Sequence, residues 1–272
     1  QSIKEKAEWD LEIIDGSVFE IGDSEKLHSY IRDLINIPFD LSKDLMLRGH
    51  LIELDEDDNI LIITMHHIAS DGWSISVIVK EFAEIYKSIE ENREAELPAL
   101  DIQYADYAIW QKENLQGEVL ENKIDYWRKK LDGVEPLQLP TDHSRKAVQS
   151  INGNVAEFKI NKELSDQLQS LSRKQNATLF MTLLSAFNVL LYRYSGQKDI
   201  CVGSPIAGRQ MSEIEDLIGY FVNTLAFRSE VNGDDTFANL LKQVKSTTLE
   251  AYEHQEAPFE KVVDAVVKQR DM

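Results

Sequence analysis

Cysteine is nearly missing from these 272 residues: Cys201 stands alone, so no disulfide can close within the chain. That composition suits a reducing compartment, and a cytoplasmic location is expected. Cys201 lies in the short apolar run Asp199-Ile200-Cys201-Val202-Gly203 and reads as a small buried hydrophobe. No apolar run reaches eighteen residues, so no membrane-spanning helix is expected. The chain opens on Gln1, and no basic-then-apolar leader follows. Basic residues are scarce beside acidic ones, 29 against 48, and the net charge is −19. Such a surface repels nucleic-acid phosphates and anionic lipids, which removes both as expected partners. No internal repeat or low-complexity tract is present.

What remains is a chain with 43% hydrophobic and 28% charged residues, enough to bury a sizeable core. The first forty residues carry no clear pattern, and 40–44 read as a turn or cap. Two apolar, β-rich runs, 46–54 and 60–65, flank the acidic turn Asp55-Glu56-Asp57-Asp58-Asn59, which predicts a hairpin. From about 74 to 91, Ile75, Ile78, Val79, Phe82, Ile85 and Ile89 recur at helical spacing on one face. Helices follow near 103–115 and 118–132; the aromatic residues there (Tyr104, Tyr107, Trp110, Tyr126 and Trp127) suit core positions. Residues 133–153 change character, with Gly133, Pro136, Pro140 and Gly153, and are the best linker. Beyond them the pattern predicts strands near 154–160, 199–204 and 219–230. Helices are predicted near 161–175, 177–194, 235–252 and 259–268. Mixed strands and helices on both sides of the linker give an α/β (α+β) fold class.

The sharpest feature is Met65-His66-His67-Ile68-Ala69-Ser70-Asp71-Gly72-Trp73-Ser74, set where an apolar strand gives way to an amphipathic helix. A histidine at a strand end there meets the free N–H groups of a helix N-terminus. Composition alone would produce such an HHxxxDG pattern by chance about 5 times in 10,000 chains of this make-up, so chance is a poor explanation. Adjacent histidines on a strand point to opposite faces and make a poor chelate, and no zinc-type spacing surrounds them. No metal site is expected. Asp71, just before the helix, is placed as an N-cap.

The segment resembles the HHxxxDG signature of nonribosomal peptide synthetase condensation domains, of the chloramphenicol acetyltransferase-like superfamily. Further motifs follow in that family's order. Tyr104-Ala105-Asp106-Tyr107-Ala108-Ile109-Trp110 resembles YxDYAxW, and Gly219-Tyr220-Phe221-Val222-Asn223-Thr224 resembles GxFVNT, with Arg228 beyond it. His254-Gln255-Glu256-Ala257-Pro258-Phe259-Glu260 is similar to HQDxPFE, with Glu256 where Asp is usual, and Arg270-Asp271 looks like the opening of a last motif. The family's early RHExLRT-type segment has no counterpart, so an internal fragment is expected, whose activity in isolation is in doubt.

The resemblance implies two chloramphenicol acetyltransferase-like lobes in a V-shaped pseudo-dimer, both incomplete, with the active site at their junction. Residues 1–140 would form the N-terminal lobe, 141–153 the linker and 154–272 the C-terminal lobe. The implied reaction is amide bond formation, in antibiotic or siderophore biosynthesis. A donor acyl or peptidyl thioester and the α-amine of an acceptor aminoacyl thioester would react while both are held on 4′-phosphopantetheine arms. The implied partners are donor and acceptor peptidyl carrier proteins and a neighbouring adenylation domain, with no cofactor bound directly. His67 is the expected catalytic residue, as base or as positioning group. Gly72 is the second, its N–H facing the oxyanion. His66, Asp71 and Trp73 are read as structural, Asp71 pairing with Arg209 or alternatively Arg48. Asn223 and Thr224 are tunnel candidates, strand-end hydrogen bonding being the competing role. His66 argues against a heterocyclisation domain, and Gly72-Trp73 favours condensation over epimerisation. An epimerisation domain, a non-catalytic carrier-docking module and a coenzyme A-dependent acyltransferase are the alternatives.

Overall fold

The structure is a computed structural model of the chain and describes residues 8–19, 24–144, 148 and 153–267. The Arg270-Asp271 pair and part of the 141–153 linker lie outside the described residues. The architecture is mixed α/β, with two small sheets and eight α-helices among the described residues. By internal contacts the chain divides into two compact units, residues 1–108 with 209–221, and residues 109–208 with 222–272. The units interleave along the sequence: 109–140 groups with the second unit, and 209–221 returns to the first.

The first unit is built on a three-stranded sheet in the order β1 (Leu11–Asp15), β2 (Leu47–Glu53), β3 (Asn59–Met65). β2 and β3 form the predicted antiparallel hairpin around the acidic turn, with His50 opposite Ile62. β1 runs parallel to β2, Leu11 opposite Gly49, which requires a crossover; α1 (Ser24–Ile35) lies within it. Gly49 is needed because a Cβ there would stand 2.7 Å from the indole of Trp9, whose Nε1 donates to the Leu47 carbonyl at 3.1 Å. The 40–44 turn forms as expected, closed by Asp44 N donating to Asp40 O at 2.8 Å.

α2 (Gly72–Glu90) matches the predicted helix. Its apolar face is a single face as the spacing requires, yet Ile75, Val79, Phe82, Ile85 and Ile89 are all exposed, while Ser74, Val77 and Ser88 are buried. Periodicity reports that a face is apolar, not which residues cover it. α3 (Tyr104–Asn114) follows. Tyr104 and Tyr107 pack around Phe221, ring centroids 5.1 and 4.8 Å away, and this small core also includes Ile214 and Leu217.

The second unit centres on the antiparallel pair β4 (Asp199–Ile206) and β5 (Asn223–Glu230). A two-stranded sheet is marginal alone. Here α6 (Leu179–Ser195) and α7 (Phe237–Glu253) pack on it. α4 (Gly117–Lys130), α5 (Lys162–Lys174) and α8 (Phe259–Val266) complete the unit. Trp127, Ile200, Phe227, Leu241 and Val244 form its dry centre. Helix starts follow their caps: Asn161 Oδ1 accepts from Leu164 N at 2.9 Å, and Thr178 Oγ1 from Met181 N at 3.2 Å. α6 stops at Gly196, whose φ of 72° is the left-handed conformation that glycine adopts freely.

The strand expected at 154–160 is not formed. A strand needs a hydrogen-bonded neighbour, and residues 153–160 have none among the described residues; Val155 and Phe158 are exposed. β5 also begins at Asn223 rather than 219, because residues 219–221 spend their backbone groups elsewhere, as described below. Cys201 is half-buried against the second core, and burial pushes its thiol pKa up. No helix among the described residues is long and apolar enough to cross a membrane.

Leu241, 1% exposed, sits at the centre of the second core. Leu241→Ala is expected to lower stability by about 2–5 kcal/mol. A matching fall in the urea midpoint of the second unit checks this.

Candidate functional site

The site is assembled within the first unit, in the loop joining β3 to α2. After Met65 the chain leaves the sheet: His66 N donates to Met46 O at 3.1 Å, and Ala69 N closes a turn onto His66 O at 3.0 Å. The two histidines thus lie in a turn, and strand alternation does not apply to them. Their rings nonetheless part. His66 Nδ1 accepts from Ile68 N at 3.0 Å, and its ring meets Phe39 edge-on at 5.8 Å. His67 Nδ1 lies 2.7 Å from the Ser70 carbonyl oxygen. A carbonyl only accepts, so the neutral imidazole carries its proton on Nδ1 and a free lone pair on Nε2. The ring is exposed and meets that of Tyr220 at 5.4 Å and 75°.

Behind the loop stands a buried polar cluster. Asp71, in extended conformation, caps α2: its Oδ1 accepts from Ser74 N at 2.9 Å, and Ser74 Oγ returns toward the Asp71 backbone in a capping box. Arg209 reaches the same carboxylate, Nη2 to Oδ1 at 3.2 Å, with both side chains fully buried. Arg209 Nη1 donates to the carbonyls of Leu217 (2.7 Å) and Ile214, and its guanidinium stands 4.0 Å from the centroid of the Phe221 ring. Asp71 Oδ2 accepts from Phe221 N at 3.1 Å. Ser74 Oγ accepts from Gly219 N and Arg209 Nη2, each at 3.1 Å, and lies within donating distance of Gly219 O at 3.0 Å. Arg48, the alternative partner, is committed elsewhere: it binds Asp44 at 2.9 Å and the Ile37 carbonyl at 2.7 Å, with Phe39 beneath its guanidinium. Burial works against the charged form of Asp71. The Ser74 and Phe221 hydrogen bonds and the Arg209 charge outweigh it, and the carboxyl is held below its ordinary range.

Gly72 opens α2, where an N–H has no partner within the helix. It is exposed, and a Cβ there would meet nothing within 4 Å. Trp73 is half-exposed, its Nε1 donating to Glu215 O at 2.8 Å. Asn223 and Thr224 belong to the second unit. The Asn223 amide is spent on the 254–260 segment: Nδ2 donates to the carbonyls of Gln255 and Ala257, both at 2.8 Å, and Oδ1 accepts from Phe259 N at 3.1 Å. Thr224 pairs with Pro205 across the strands. No cluster of His, Cys, Asp and Glu among the described residues is arranged to hold a metal ion.

The condensation domain family model matches residues 1–272. The chain belongs to the condensation domain family. It is 48% identical over 274 residues to one of the linear gramicidin synthase proteins of Brevibacillus parabrevis, covering 100% of this chain and 5% of that relative. It is 43% identical over 236 residues to one of the plipastatin synthase proteins of Bacillus subtilis, strain 168, covering 86% of this chain and 9% of the relative. Among solved structures, the complex of the X-domain and OxyB from teicoplanin biosynthesis matches with a TM-score of 0.87 and 26% identity, over 100% of this chain and 60% of that one. The first condensation domain of the calcium-dependent antibiotic synthetase shares the fold at a TM-score of 0.78, with 19% identity over 96% of this chain and 60% of that one. The chain therefore spans about a twentieth of the length of that linear gramicidin synthase relative.

In this condensation domain HHxxxDG, the Gly219–Phe221 start of GxFVNT and Arg209 converge as hydrogen-bonded neighbours at Asp71 and Ser74. Ser74 and Tyr220 were not singled out from the sequence. Ser74 had a signal, a hydroxyl three residues after a capping Asp. Tyr220 had a weaker one, an aromatic residue directly after a motif glycine.

Removing one partner of a buried ion pair leaves an uncompensated charge. Asp71→Ala and Arg209→Ala are each expected to lower stability by about 3–5 kcal/mol and to reduce soluble yield. The depressed Asp71 carboxyl contributes stability that is present above its ordinary value, 3.8, and is lost as pH falls through its lower folded value. Asp71→Asn should therefore flatten the acid limb of a stability-versus-pH curve below about pH 4.

Proposed function

We propose that this chain catalyses amide bond formation between a donor acyl or peptidyl thioester and the α-amine of an acceptor aminoacyl thioester, in nonribosomal peptide synthesis. The carrying observation is the His67 imidazole. It is exposed, fixed as the Nδ1–H tautomer by the Ser70 carbonyl, and left with Nε2 without a hydrogen-bond partner among the described residues, in the loop that leads into α2.

The chemistry follows from those groups. The acceptor amine nitrogen attacks the thioester carbonyl carbon, the C–N bond forms and the carbonyl oxygen becomes an oxyanion. Nε2 of His67 accepts the proton shed by the amine. The C–S bond then breaks, and the proton passes to the departing thiolate. An α-amine has a pKa of about 7.7–8.0, so much of it is neutral near pH 7 and a weak base suffices. General-base help of this kind gives about 10²- to 10⁴-fold, and positioning of the amine by the same nitrogen reaches similar values. The Gly72 N–H, without a helical acceptor, is the proposed oxyanion donor. Asp71, Arg209, His66 and Trp73 hold the loop. Asn223, by its three hydrogen bonds, acts in bracing the 254–260 segment.

Both thioesters would arrive on the 4′-phosphopantetheine arms of donor and acceptor peptidyl carrier proteins, with an adenylation domain loading the acceptor. The kinship with linear gramicidin and plipastatin synthase proteins supports this setting. The division into an N-terminal lobe, 1–140, and a C-terminal lobe, 154–272, joined by a linker at 141–153, belongs to the same proposal.

The test is intact-mass analysis of a loaded acceptor carrier after mixing with loaded donor carrier and this domain. The acceptor is expected to gain the donor acyl mass, and His67→Ala is expected to slow that gain by about 10²-fold or more. Folded wild-type protein that produces no gain with both carriers loaded would refute the reading. Exchange of the donor Cα hydrogen with deuterated solvent would instead favour epimerisation.

A further inference from the structure

His67 is held by less than its role demands. One hydrogen bond, Nδ1–H to the Ser70 carbonyl, fixes one edge of the ring. The imidazole turns about Cβ–Cγ, and a single hydrogen bond at Nδ1 restrains that rotation only within the breadth of hydrogen-bond geometry, so Nε2 still moves. A second contact on the ring narrows the motion. Among the described residues the ring contact that supplies it is Tyr220, edge-to-face at 5.4 Å and 75°.

The backbone on either side of Tyr220 is pinned. Gly219 N and O both bond to Ser74 Oγ, at 3.1 and 3.0 Å. The Tyr220 carbonyl accepts from Tyr104 Oη at 2.8 Å, and Phe221 N donates to Asp71 Oδ2 at 3.1 Å. Gly219 cannot be replaced without a clash, since a Cβ would stand 2.2 Å from the Tyr104 ring. These bonds do not involve the Tyr220 side chain, and the residue remains 42% exposed. A short segment anchored at four backbone atoms therefore presents one aromatic ring to one imidazole.

We propose that Tyr220 is a positioning residue for the reaction, fixing the plane of His67 so that Nε2 meets the acceptor amine. This rests on the condensation reading for its rate consequence, though not for the ring contact. The Asp71–Arg209–Ser74 cluster then acts on His67 along two routes: through the cap of α2 on one side and through the 219–221 segment and Tyr220 on the other. The ring, not the hydroxyl, carries the role.

The test compares the full chain with Tyr220→Phe and Tyr220→Leu. Two readouts are taken: NMR of ¹³C,¹⁵N-labelled histidine, with His67 assigned by its loss in His67→Ala, and kcat and KM for acyl transfer between loaded carriers. Tyr220→Leu is expected to shift and broaden the His67 ring resonances and to lower kcat by about 2- to 10-fold, the range an aromatic pair supplies, with KM little changed. Tyr220→Phe should restore both. The proposal is overturned if Tyr220→Leu leaves the His67 resonances in place, or moves them without lowering kcat. It is equally overturned if Tyr220→Phe is as slow as Tyr220→Leu, which would assign the effect to the hydroxyl. If the wild-type chain transfers no acyl group, the condensation reading fails, while the NMR comparison still decides whether Tyr220 holds the ring.

Discussion

A carboxylate and a guanidinium, both shut off from solvent, organise the first unit. Removing two charges from water is costly, and such a pair is tolerable only when the remaining lone pairs and protons find partners. Here they nearly all do. Asp71 accepts from Ser74, Arg209 and Phe221, and Arg209 spends Nη1 on the carbonyls of the 214–217 turn, which leaves Nε as the one guanidinium nitrogen without a partner among the described residues. The cluster thereby ties the start of α2 to a segment some 140 residues later in sequence. The conformation of the loop between β3 and α2 is a by-product of that closure: once Asp71 is fixed as the cap, the turn from His66 to Ser70 has little freedom left.

This explains a division of labour in the HHxxxDG signature. Of the two histidines His67 is the exposed one, and its Nε2 has no hydrogen-bond partner among the described residues. His66 is stitched to Ile68 and Phe39, and Phe39 in turn lies beneath Arg48. Asp71 looks inward. Gly72 supplies bare backbone at the helix start. The motif holds one exposed imidazole, the proposed catalytic group, among residues that fix the backbone around it.

Much of this was legible in the sequence, for identifiable reasons. The hairpin announced itself because its turn is acidic and its strands are local. α2 and its neighbours showed helical spacing. The first strand was not legible, because β1 pairs in parallel with a strand almost forty residues away; the first helix did carry a signal, Leu27, Tyr30, Ile31 and Leu34 at helical spacing and half-buried, which the reading of the first forty residues as patternless passed over. The strand expected at 154–160 failed for the opposite cause, a good local pattern without a neighbour to pair with. At the site, Asp71 could be matched to either Arg209 or Arg48 from residue type alone; only three-dimensional closure shows Arg48 already engaged with Asp44. Ser74 carried the local signal of a capping box, but its further contacts with Arg209 and Gly219 come from distant sequence and show only in the folded chain.

The hydrogen bond that sets the His67 tautomer goes to a main-chain carbonyl rather than to an acidic side chain. Every residue that keeps the backbone path at position 70 presents that same oxygen in the same way, so no side-chain replacement there can delete the acceptor. The oxygen also has no titration of its own to impose on the imidazole. Which His67 nitrogen carries the proton and which the lone pair is thus written in the path of the backbone. It is vulnerable to changes that reroute the loop and largely indifferent to which side chains the loop displays.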